Sequence, residues 1–161
     1  MRKIIIALAA GAVAIATLAG CSPADESFTV EQPADAVVIE LLQQNPESNV
    51  GDELIFESPI VKDGEPFGNL IGTMTTVSPL DEGTRPGLEE RLLSAVFDFP
   101  DGQISVLGVS YYDPEETLLN DGETFVRAIV GGTGAYVGAS GEVATTRNAD
   151  NSYTHVLRLV K

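Results

Sequence analysis

Cysteine is nearly absent from this chain of 161 residues: Cys21 is the only one, so no disulfide within the chain can brace the fold. Histidine is as scarce, with His155 alone. A zinc-type site would need further ligands, and a catalytic histidine would need a nucleophile and an orienting carboxylate. The spacing offers neither, so a packed or hydrogen-bonded strand residue is the plainer reading of His155. Basic residues are few, 9 Lys and Arg against 24 Asp and Glu, for a net charge of −15. Nucleic acid and anionic headgroups both call for basic patches, so this balance argues against either as a partner. No Asp-x-Asp-x-Asp-Gly calcium loop accompanies the acidic residues. Helical patterning is also thin. Residues 88–95 (LEERLLSA) have helical composition, but Gly87 before them and the alternation of VFDF after them favour a strand.

What is present begins with an export signal. Arg2 and Lys3 precede an apolar run over residues 4–16, the layout of a secretory leader and too short for a spanning helix. Leu18-Ala19-Gly20-Cys21 follows. This resembles a bacterial lipobox, which implies cleavage before Cys21 and diacylation of its sulfur. Lipid on Cys21 would explain a lone thiol in an exported protein and hold the chain at the outer face of a bacterial membrane. Loss of Arg2 and Lys3 with the leader makes the mature chain more acidic still. The expected organisation is a signal peptide over 1–20, the lipidated Cys and a polar tether over 21–35, and one domain over 36–161.

Within that domain, β-like runs alternate with turn signals. They cover residues 36–43, 53–61, 67–77, 91–99, 103–112, 123–130, 142–147 and 153–160. Eight short strands at regular spacing suggest a sandwich or a barrel, and a closed eight-stranded barrel is either filled or holds one small ligand. Between the sixth and seventh runs lies a glycine-rich stretch. Five of residues 129–143 are Gly, which suits a chain forced through sharp, crowded bends. A phosphate-binding loop would need a following Lys or a helix behind the glycines, and neither is there. No cofactor is implied.

The order of four motifs carries a family resemblance. Gly131-Gly132-Thr133-Gly134-Ala135-Tyr136, continued by Gly138, Ala139 and Gly141, resembles the Gly-Gly-Thr-Gly-aromatic signature of dirigent proteins and allene oxide cyclases. Gly51-Asp52 with Phe56, Gly102-Gln103-Ile104-Ser105-Val106 with Gly108, and Tyr153-Thr154-His155 with Leu157 are similar to three further cyclase segments in the same order. The resemblance implies an all-β fold, an eight-stranded antiparallel closed β-barrel, assembled as a homo-oligomer (trimer or dimer). Such barrels bind small hydrophobic molecules in the lumen, and some steer the cyclisation or coupling of a reactive intermediate.

Candidate site residues follow from strand alternation and this resemblance. Glu40 interrupts the apolar run Val37-Val38-Ile39-Glu40-Leu41-Leu42 and falls where the cyclases keep a luminal Glu. It points either to water or into the lumen, where desolvation would raise its pKa. Leu42 stands where those enzymes carry a water-holding Asn. Of Tyr111 and Tyr112, alternation sends one inward as an aromatic wall with a polar handle. Arg127 shares a face with Phe125 and Ile129, as a luminal cation for an acidic ligand, a partner for Glu40, or a surface Arg with a buried stem. Glu40, Tyr111 and Tyr112 are the catalytic candidates. Glu40, Arg127, Tyr112 and His155 are the ligand-binding ones. Three functions stay open: a lipid-anchored binder of a small hydrophobic molecule, a cyclase- or dirigent-like isomerase, and a structural envelope protein with a packed barrel.

Overall fold

The computed structural model describes residues 26–34, 38–43, 49–78, 85–113 and 119–160. The leader and Cys21 lie outside the described residues. Nine strands form one antiparallel sheet: β1 (Glu26–Gln32), β2 (Val38–Leu42), β3 (Glu53–Lys62), β4 (Glu65–Ser78), β5 (Glu89–Phe99), β6 (Gly102–Tyr112), β7 (Thr124–Gly132), β8 (Ser140–Arg147) and β9 (Tyr153–Val160). From β3 to β9 each strand pairs with its sequence neighbour. Closure comes from β1, which pairs with β9 along its length and meets β3 at Glu31 and Val61. β2 takes the next stretch of the same β3 edge, from Val38 opposite Glu57 to Leu42 opposite Glu53. Two short strands thus share one position in the wall, and the result is an eight-stranded antiparallel barrel.

The earlier strand β1 corrects the expected tether, which ran through residue 35. Phe28, Val30 and Gln32 alternate inward while Ser27, Thr29 and Glu31 face out, with Val30 and Gln32 buried. The signal was weak because only two of the three inward positions are apolar and the third is an amide. β5 follows the alternation of its sequence. Glu89, Arg91, Leu93, Ala95, Phe97 and Phe99 are all buried, so the residues 88–95 extend as strand rather than helix. Turns fit their residues: Asp63 and Gly64 both take positive φ between β3 and β4, as a two-residue hairpin turn of the primed type requires. Register shifts that leave Phe67 and Val77 of β4 and Val130 of β7 as extra residues add bulges that help the sheet curl.

The lumen has two unlike ends. At one, Phe99 gathers Phe28, Phe67, Phe97 and Tyr136 at ring-centroid distances of 5.7, 5.0, 5.9 and 5.5 Å. Tyr136 is delivered by the glycine-rich stretch, which leaves β7, makes a single 3₁₀ turn (Gly134–Tyr136) and returns as β8. Its glycines are needed for close approach: a Cβ on Gly132 would run into the Tyr136 carbonyl and lie 2.8 Å from the Gln103 carbonyl. The expected barrel corner is therefore also a plug that packs an aromatic ring into one end of the lumen.

Candidate functional site

Toward the other end of the lumen lies a cavity of about 80 Å³. One water needs about 10–15 Å³ by the same kind of measure, so the space suits several waters or a small organic molecule. Its walls are mainly apolar, with Leu54, Phe56, Leu70, Leu93, Phe97 and Val143 among them. Glycine makes part of the room, because a Cβ on Gly72 would sit 2.8 Å from the Phe56 ring and 2.7 Å from the Ala95 methyl. The third functional reading required a lumen filled by side chains. Only the aromatic end meets that requirement.

Polar groups converge on this apolar space from five strands: Gln32 of β1, Tyr112 of β6, Arg127 of β7, Thr145 of β8, and Tyr153 and His155 of β9. Inward alternation places each one. Arg127 is 6% exposed and donates from Nε and Nη2 to the hydroxyl of fully buried Ser110, at 3.0 and 2.6 Å. Gly108, on the neighbouring strand, leaves room for the Arg127 stem; a Cβ there would lie 3.0 Å from Arg127 Cγ. The guanidinium also stands 5.7 Å from the Phe125 ring centroid. Burial lowers the Arg127 pKa from its ordinary value, and the Tyr112 and Tyr153 phenols pull the other way. No carboxylate lies within ion-pair distance of it among the described residues.

Tyr112, 4% exposed, donates its hydroxyl to Met74 Sδ at 3.1 Å. Burial raises its pKa, against the pull of the Arg127 and Arg91 guanidinium groups. Burial likewise pushes the Tyr153 phenol up to about 12. Both phenols are therefore neutral hydrogen-bond donors at physiological pH. His155, 2% exposed, has Nδ1 3.0 Å from the Thr145 hydroxyl and Nε2 3.2 Å from Gln32 Oε1. With Gln32 accepting through Oε1, the proton belongs on Nε2, and Nδ1 accepts from Thr145. Burial, with a smaller contribution from the Arg127 charge, brings its pKa down to about 3, so the imidazole is neutral. Behind Tyr112, Glu89 and Arg91 form a buried ion pair at 2.5 Å, and Arg91 lies 4.4 Å above the Tyr112 ring. Asn49 donates to the other Glu89 oxygen at 2.7 Å.

The sequence candidates thus separate. Arg127, Tyr112 and His155 come together at the cavity. Tyr111 points the other way, with Arg85 stacked 4.2 Å above its ring. Glu40 is exposed on β2, opposite the exposed Ile55, so of its two alternatives the outward one holds and the luminal one does not. With Glu40 outside, the pairing of Arg127 with Glu40 is also absent. Sequence reasoning missed Gln32, Thr145 and Tyr153. Tyr153 and His155 share one face of β9 by simple alternation, which was a usable signal. Gln32 was hidden in the supposed tether, and nothing in the sequence singled out Thr145.

No protein-family model and no curated protein sequence matches the chain. Solved structures do. Pyocyanin demethylase superposes with a TM-score of 0.63 at 20% identity, over 83% of this chain and 99% of its own. An exo-specific intermolecular Diels-Alderase gives 0.61 at 17% identity, over 84% of this chain and 98% of its own. A pterocarpan synthase dirigent protein gives 0.53 at 18% identity, over 86% and 85%. At such identities the likeness is one of architecture, and three different reactions on one scaffold carry no single activity across. The chain has the allene oxide cyclase and dirigent-like barrel fold.

Proposed function

We propose that this protein is an exported, lipid-anchored barrel that holds a small hydrophobic molecule in its lumen. One observation carries the reading: the lumen is packed with aromatic rings at one end and keeps a mainly apolar cavity, with a few convergent polar groups, at the other. Enclosed apolar walls with sparse, fixed polar groups are the usual make-up of a small-molecule site. The Leu18-Ala19-Gly20-Cys21 segment supports the anchor.

Native mass spectrometry of the full chain, purified from its own host, tests the lumen. The expected result is a co-purifying lipophile that disappears when Ala95→Leu fills the cavity. A ligand-free mass in every preparation, or a ligand retained by the filled barrel, would overturn it.

A second reading is favoured by the neutral phenols beside a buried guanidinium. A cyclase- or dirigent-like isomerase would use such groups to orient a reactive intermediate away from water. Among solved structures of the same fold are a demethylase, a Diels-Alderase and a dirigent protein, so catalysis is among the uses of this scaffold. Turnover of a bound molecule, lost in Tyr112→Phe while binding persists, would distinguish catalyst from carrier.

A further inference from the structure

From the charge state of the lumen we infer that the molecule it takes is an organic anion, an apolar skeleton bearing one carboxylate, phenolate or enolate oxygen that pairs with Arg127. The inference rests on the luminal-ligand reading and names the class of ligand.

The chain is strongly acidic overall, yet the cavity carries the opposite sign. Among the described residues its lining includes one cation, Arg127, and no Asp or Glu. The other described groups that face Arg127 are uncharged: the hydroxyl of Ser110, the phenols of Tyr112 and Tyr153, the ring of Phe125 and the neutral imidazole of His155. The second buried guanidinium provides an internal control. Arg91 lies inward at the same end of the barrel, and it has Glu89 as counter-charge. Among the described residues, then, one luminal arginine has a carboxylate partner and the other has none.

A buried cation with only neutral partners is costly to keep, because hydroxyls and rings recover just part of its lost hydration. That arrangement becomes favourable when an incoming anion completes it. Arg presents a fork of donors that matches a carboxylate or a delocalised oxyanion, and the surrounding apolar wall strengthens the attraction. Tyr112, a neutral phenol close enough to the guanidinium for each to bear on the other's ionisation, becomes a second donor to the same oxygen when its O–H turns away from Met74 Sδ. Gly108 indicates that the placement is built in, since a larger residue there would crowd the Arg127 stem.

The test compares 2-naphthoate with 2-naphthamide, which share shape and differ in charge. Both are titrated into the detergent-solubilised full chain and into Arg127→Met and Arg127→Lys, with circular dichroism as a check of folding. The acid should bind the natural chain roughly tenfold or more tighter than the amide, the margin of a charge-assisted hydrogen bond over a neutral one. Arg127→Met should erase that preference while leaving amide binding in place, and Arg127→Lys should keep part of it. Equal binding of acid and amide to the natural chain, or an acid preference that survives in Arg127→Met, would overturn the inference and leave the luminal-ligand reading standing. Failure of both probes, with the barrel folded, would overturn the two together.

Discussion

The two ends of the lumen are built from the same strands and follow opposite rules. β5 shows the contrast along one face, running from Glu89 and Arg91 through Leu93 and Ala95 to Phe97 and Phe99. At the Phe99 end, rings fill the space and the glycine-rich turn adds Tyr136 as a stopper. At the Glu89 end, charged and hydroxylated side chains hold each other in place around an unfilled volume. The difference suggests a division of labour. Closing one end with close-packed aromatics stabilises the barrel enough to carry a buried, incompletely paired cation at the other.

If that division holds, substitutions at the two ends should separate into those that change stability and those that change recognition. Phe99→Ala should have the largest effect on folding, about 3–5 kcal/mol in chemical denaturation, because the removed ring leaves a cavity its neighbours cannot fill. Its acid-over-amide preference, measured at low denaturant, should be unchanged. A shifted preference would mean that the ends are not independent.

His155 gives the next effect. Its folded pKa of about 3 lies below the ordinary value of 6.5, so the unfolded chain binds the extra proton in between. The neutral imidazole's contribution is fully present above pH 6.5 and is lost as pH falls toward 3, at up to about 1.4 kcal/mol per pH unit. Urea midpoints of the natural chain and of His155→Gln, compared between pH 7 and 4, should show a steeper decline for the natural chain by about one proton. Parallel curves would show that His155 is already charged in the folded state.

Arg127→Met should be close to neutral in stability, or stabilising by about 1 kcal/mol, since it removes a buried charge that lacks a carboxylate partner. A clear loss of stability would mean that Ser110 and the phenols satisfy the guanidinium fully. The smallest change is expected from Gly108→Ala. A Cβ there needs Arg127 to shift by a few tenths of an ångström, so stability should fall by less than about 1 kcal/mol while the acid preference weakens. A loss of stability with the acid preference unchanged would erase the distinction between the ends.

Much of this architecture was legible in the residues. Alternation and turn chemistry located eight of the nine strands closely, β2 to β9, and the ordered glycine and aromatic motifs resembled the barrel that the structure has. What failed, failed for local reasons. β1 carries only Phe28 and Val30 as apolar inward positions, too few to stand out from an acidic, proline-containing stretch. Glu40 could be left only as outward or luminal because both faces of its run are apolar; β2 is a short strand on the β3 edge, and Leu41 beside it is itself exposed. Tyr112, Arg127 and His155 were within reach as candidates because strand alternation limits each to two faces, but the residues alone did not say which face was inward. Their convergence was not within reach, since strands β6, β7 and β9 meet only once the sheet has closed.

The position of β1 also sets a direction. Its first residues lie at the aromatic end, where Phe28 meets Phe99 and Tyr136. Cys21 precedes Glu26 by five residues, a reach of at most about 18 Å of extended chain. A lipid on Cys21 would therefore tie the protein to the bilayer by its plugged end and turn the cavity's polar end toward the surrounding water. A molecule passing that end would be traded with the aqueous compartment, so the anchor would act as a mooring rather than as a route from membrane to barrel.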